Sequence, residues 1–220
     1  NKYVAIAHEA LDTHKVQQER RKAKLPPANV VLPRGAGEAV DLAPFSKIHD
    51  GHVGAMVVEV DLVRGLGLYA QMDVIDVNGA TGGADTNEIA IARAVADHIG
   101  SYDLILCNIK APDLGGHDSN ALAKIAAIEK VDRAVAFLLD TLNWGNTTIM
   151  LGGDHCTPVT VGDHTGDAVP VVFYGHGVRS DLVEHYSEKE AGMGGIGQIA
   201  GADVIPLLRN FAGRIVKFGA

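Results

Sequence analysis

Apolar residues in this chain fall into short runs separated by stretches of helical period. Residues 53–60, 74–77, 103–107, 147–151 and 169–174 are rich in Val, Ile and Leu and short enough for buried strands. Between them the period changes. Residues 63–69 read as a short helix. Ile89, Ile91, Val95 and Ile99 form a second helix, with Asp85 as cap, Glu88 as its capping-box partner and Gly100 as the stop. The longest helical pattern carries Leu122, Ile125, Ile128, Val131, Val135, Leu138 and Leu142, with Ser119 as cap and Gly145 beyond the end.

The ends read differently. Residues 1–24 are charged and helical, a solvated helix pair stopped by Leu25-Pro26-Pro27. A strand is predicted at 29–32, then a glycine-rich turn carrying Arg34. Residues 180–190 read as loop or short helix, 191–201 as a glycine-rich adaptable loop, 202–211 as a closing helix and 215–218 as a tail strand. Strands alternating with helices predict an α/β fold, with a mainly parallel sheet covered on both faces in a three-layer α/β/α sandwich. Ligands of such sheets collect at the carboxyl ends of strands.

Composition narrows the function classes. With 47% hydrophobic and 21% charged residues, the 220-residue chain has enough apolar material for one substantial core. A formal charge of −8 and the lack of any basic run with interleaved aromatics argue against a nucleic-acid surface. No apolar run reaches membrane-spanning length, and the two cysteines, Cys107 and Cys156, suit a reduced cytoplasmic protein. The chain opens on Asn1 rather than Met and reads as part of a longer product.

The candidate chemistry lies after two strands. Asp113 and His117 follow the 103–107 run, and Asp154-His155 and then His164 follow the 147–151 run. Carboxylate and imidazole together suit a divalent ion, Mn or Zn more than Mg. The glycines between Asp113 and His117 predict a loop wrapping the metal rather than a helix. Five such ligands exceed one tetrahedral ion and fit two ions about 3.5–4 Å apart, the arrangement that clamps phosphoryl transfer. A single Asp-His pair would more simply be a hydrogen-bonded loop; recurrence beside glycines and strand ends favours metal. His176, on the loop after 169–174, is a further candidate for the same crevice. Asp118, Asp163 and Asp167 are candidates to orient the imidazoles. Cys156 reads as a small buried residue. His8, His14, His49, His52, His98 and His185 have no such context.

Beyond these residues, seven collinear stretches carry a resemblance. They are PANVVLPRGAG at 27–37, GATGGADTN at 79–87, KAPDLGGHD at 110–118, GDHCTP at 153–158, DHTGDAVP at 163–170, YGHGVR at 174–179 and KFGA at 217–220. The sequence resembles the C-terminal part of the archaeal-type cofactor-independent phosphoglycerate mutases, in the alkaline phosphatase superfamily. The resemblance implies an alkaline phosphatase-like domain over 26–220 lacking its N-terminal nucleophile segment, with 1–25 as the tail of an inserted second domain. It implies two divalent ions, one held by Asp113, His117 and His164, the other by Asp154 and His155. The expected activity is interconversion of 3- and 2-phosphoglycerate through a phosphoserine. The serines present (Ser46, Ser101, Ser119, Ser180, Ser187) do not stand in that serine's context, so the 220 residues alone are expected to be inactive without the missing N-terminal segment. Arg34, Arg64 and Lys110 are the candidates for binding the phosphate or carboxylate of phosphoglycerate, and Arg64 and Lys110 are also the candidates for a catalytic role. Arg64 stands where the family has a lysine, Cys156 where it has a serine, and residues 197–200 where two arginines are expected. The alternatives are a metal-dependent phosphatase of the same superfamily and a non-catalytic relative serving as a binding subunit.

Overall fold

The computed structural model describes residues 2–215 and divides into two compact units, Asn1–Leu42 and Ala43–Ala220. The tail strand expected at 215–218 lies outside the described residues but for Ile215.

In the first unit the charged stretch forms α1 (Lys2–Asp12) and α2 (Lys15–Lys22). The strand expected at 29–32 does not form; the segment is irregular. Side chains of α1 and α2 hold only its start, where the Asn29 carbonyl oxygen lies 2.8 Å from His8 Nδ1. Gln17, 3% exposed, donates to the Ala28 carbonyl and accepts from the Ala28 amide, and the Asn29 side chain donates to Asp12.

The second unit is built on β1 (Gly54–Val58), whose first four residues are buried because helices cover both faces. Alternate side chains point opposite ways. Met56 packs with Phe45 and Met72 on one face; Val57 packs with Ile91, Ala92, Val95, Ala134 and Leu138 on the other. Full burial of a residue such as Ile91 contributes roughly 1.5–3 kcal/mol. The first face is covered by α3 (Phe45–Ile48) and α4 (Asp61–Tyr69), the second by α5 (Glu88–His98) and, beyond α6 (Ala111–His117), by α7 (Ala121–Thr141). β2 (Asp73–Val74) and β3 (Leu104–Asn108) flank β1 in parallel, with Met56 opposite Val74 and Leu106. The α/β class with a parallel sheet is as expected. The departure is a separate pair: β4 (Thr148–Gly152) and β5 (Val171–Gly175) run antiparallel. α8 (Glu188–Ala191) and α9 (Val204–Phe211) complete the chain. No helix among the described residues is long and apolar enough to cross a membrane.

Two caps differ from expectation. α5 is capped by Asn87, which accepts from the Ala90 amide; Glu88 instead turns inward and pairs with Lys130 and Arg133 of α7. α7 is capped by Asn120, not Ser119, which sits at φ +50° in the turn before it. The buried face of α7 also differs. Ala127, Ala134 and Leu138 are buried, whereas Leu122, Ile125 and Ile128 are exposed. Small residues let α5 and α6 approach α7 closely, and the larger apolar side chains are left on the open side.

Candidate metal centre

Where β3 ends, α6 begins. The predicted metal-wrapping loop is thus a helix, with Pro112 in its first turn, where no amide donor is needed. Its glycines are there for packing. A Cβ on Gly115 would meet the Lys124 backbone at 2.7 Å, and one on Gly116 would meet the Thr157 carbonyl oxygen at 2.3 Å. Helical spacing of four puts Asp113 and His117 on one face, with Asp113 Oδ1 3.4 Å from His117 Nε2.

The loop after β4 brings the remaining groups. An isolated antiparallel bridge between Cys156 and Thr165 folds this loop back on itself and returns His164 beside His155. Their ring centroids are 3.8 Å apart. His164 Nε2 lies 3.2 Å from His117 Nε2 and 3.7 Å from Asp113 Oδ1. Two nitrogens each 2.0–2.1 Å from a tetrahedral ion stand roughly 3.3 Å apart, so these separations suit ligands around one cation. One ligand atom each from Asp113, His155 and His164 also falls within a 4.8 Å group. Asp154 is mostly exposed, with Oδ2 3.6 Å from His155 Nε2. All five sequence-predicted ligands are therefore in one continuous cluster.

Two imidazoles have their second nitrogen occupied. His117 Nδ1 is 3.1 Å from the Gly162 carbonyl oxygen, and His155 Nδ1 is 3.1 Å from Thr157 Oγ1. Gly162 has φ +71°, a conformation that a side chain would strain.

A model of the Metalloenzyme superfamily matches residues 10–209. The chain belongs to that superfamily. Relatives named 2,3-bisphosphoglycerate-independent phosphoglycerate mutase are 37% identical in Methanococcus vannielii and 41% identical in Methanopyrus kandleri. Each match takes in 100% of this chain but 54% and 52% of the relative, so the chain spans about half the length of these curated relatives. A solved Pyrococcus horikoshii protein superposes with a TM-score of 0.88 at 37% identity, over 99% of this chain and 57% of that one. The cofactor-independent phosphoglycerate mutase from Thermoplasma acidophilum gives 0.64 at 30% identity, over 97% of this chain and 51% of its own.

In this member of the superfamily the electrostatics of the cluster centre on Asp113. Burial by itself would raise its carboxyl, but hydrogen bonds from Lys110 and Thr157 and the charges of Lys110 and His117 hold it at about 2. The carboxylate is therefore ionised at any physiological pH. Oδ2 takes the Lys110 ammonium at 2.5 Å, and Oδ1 faces the imidazoles.

Arg64, on α4, pairs with Asp76. Arg34 is exposed in the irregular part of the Asn1–Leu42 unit. His176 follows β5, whose antiparallel pairing sets its end beside Thr147 and Thr148, at the opposite end of β4 from Asp154; it does not join the cluster. Asp163 and Asp167 do not orient the rings: Asp163 accepts from the His164 amide and Asp167 from the Thr165 hydroxyl. Cys156 is half-buried, with Sγ 3.8 Å from the Ala168 carbonyl oxygen.

Two further groups build the centre. Thr157, 3% exposed, donates to Asp113 Oδ1 at 2.7 Å. Glu59, at the end of β1, accepts from the Lys110 amide at 2.8 Å, the Gly82 amide at 3.2 Å and the Thr86 hydroxyl, tying the 79–87 loop to the start of α6. A lone acid closing the apolar run 53–60 was the available signal for Glu59. Thr157 stands two residues after His155 with nothing in its type to mark it.

Proposed function

We propose that this chain supplies the divalent-metal centre of a cofactor-independent phosphoglycerate mutase, with Asp113, His117 and His164 holding one ion and Asp154 with His155 contributing to a second. The observation that carries the reading is the meeting of His117, His164 and Asp113 at 3.2–3.7 Å, from helix α6 and from the loop after β4. Nitrogen-rich ligation favours Mn or Zn over Mg. Bound there, the ions would supply positive charge to the phosphoryl oxygens and lower the pKa of a coordinated hydroxyl. The chain's own groups do the rest. Asp113 is kept anionic by Lys110, and Gly162 and Thr157 orient the imidazoles. Lys110 and Arg64 are the proposed contacts for the anionic groups of phosphoglycerate, and Arg34 is proposed as an anion contact of the first unit. The tail of an inserted domain at residues 1–25 belongs to the same proposal.

The test is product analysis with the full-length protein that carries this chain, given 3-phosphoglycerate and manganese. The expected product is 2-phosphoglycerate, lost on chelation and restored by metal. Inorganic phosphate as the main product would move the assignment to hydrolysis. Metal binding with neither product would overturn the catalytic reading.

A further inference from the structure

Thr157 touches both halves of the cluster. Its hydroxyl lies 2.7 Å from Asp113 Oδ1, on the α6 side, and 3.1 Å from His155 Nδ1, on the β4 side. A hydroxyl has one proton to give and lone pairs to receive another. Asp113 faces the Lys110 ammonium and is an anion, an acceptor only. The Thr157 proton is therefore committed to Asp113, and what remains for His155 is an acceptor. His155 must then carry its own proton on Nδ1, which leaves Nε2 with a free lone pair on the side of Asp154 and His164.

The hydroxyl cannot swing away. Thr157 is 3% exposed, its carbonyl oxygen accepts from the Lys124 ammonium at 2.6 Å, and its side chain packs over the bare backbone of Gly116. The short side chain of a threonine in that slot has few rotamers. His117 reaches the same state by a different route, its Nδ1–H donated to the Gly162 carbonyl. The two imidazoles are thus prepared alike, one by backbone and one by a side chain.

We infer that Thr157 is a positioning residue that fixes His155 in the Nδ1–H tautomer and links the two ion sites through one chain of hydrogen bonds, from His155 to Thr157 to Asp113. The inference rests on the metal-centre reading above. It assigns to one hydroxyl the coupling of ligands that lie on different elements, so its loss should weaken binding at both.

The experiment uses metal-free protein labelled with nitrogen-15 at histidine, read by long-range proton–nitrogen correlation, followed by calorimetric titration with zinc chloride. Wild type is expected to show His155 protonated at Nδ1. Thr157→Val keeps the shape and removes the hydroxyl. It should release His155 toward the Nε2–H form and lower zinc affinity about 10–100-fold, and Thr157→Ser should restore both. A wild-type His155 protonated at Nε2 would overturn the inference whether or not the valine variant folds. Wild type that binds zinc, with Thr157→Val matching it in tautomer and affinity, would overturn this inference alone. Wild type that binds no zinc would overturn the metal-centre reading and the inference with it.

Discussion

At the scale of single residues, side-chain chemistry decided what the sequence revealed. The meeting of Asp113, His117, Asp154, His155 and His164 in one cluster was legible because Asp and His recur beside glycines at the ends of two strands. Thr157 and Glu59 were not, because a hydroxyl or one acid acting through its neighbours has no ligand signature of its own. Glu88 departs most clearly from its sequence signal: spaced as a capping-box partner, it is 8% exposed and bound by Lys130 and Arg133. Burial would raise its carboxyl, but hydrogen bonds from its own backbone amide, Arg133 and Lys130 bring it below the ordinary value. A carboxyl lowered on folding contributes stability above its unfolded pKa and loses it as pH falls through the folded one. Glu88→Gln should therefore cost about 2 kcal/mol at neutral pH, and urea unfolding should show the gap between variant and wild type closing in acid. A pH-independent gap would contradict this assignment.

At the scale of elements, apolar runs located β1, β3, β4 and β5, although only β1 is buried along most of its length. Helices were found by period except where packing overrode it. Gly115 and Gly116 argued for a loop at 111–117, yet both serve close contacts of a helix, against Lys124 and Thr157. The buried face of α7 was misjudged for the same reason: the contact is made by Ala127 and Ala134, which carry little hydrophobic signal. Gly116→Ala would place a methyl 2.3 Å from the Thr157 carbonyl oxygen. It should destabilise the chain by about 1–3 kcal/mol and lower metal affinity, because α6 and the Thr157 loop can no longer both hold position. Thermal unfolding with and without metal would check this; an unchanged midpoint would contradict it. The antiparallel β5 was also open to a sequence argument. Residues 153–170 contain no helical stretch of the kind a parallel crossover needs.

For the whole molecule, the α/β class followed from alternation, and the superfamily from the collinear motifs. The second unit leaves an apolar stripe open on α7, where Leu122, Ile125 and Ile128, spaced by three, are 79%, 53% and 51% exposed. Surfaces of this kind favour association, so the 220 residues alone should form oligomers or aggregates in sedimentation velocity at micromolar concentration. A stable monomer there would contradict the expectation. The central claim, however, is that side chains from α6 and from the loop after β4 grip cations together. Elemental analysis after exhaustive dialysis of the zinc- or manganese-loaded protein tests it most directly. Wild type should retain two ions, and His117→Ala and His164→Ala should each lose metal although their residues lie on different elements. Retention unchanged in either variant, or a wild type that keeps no metal, would contradict the account.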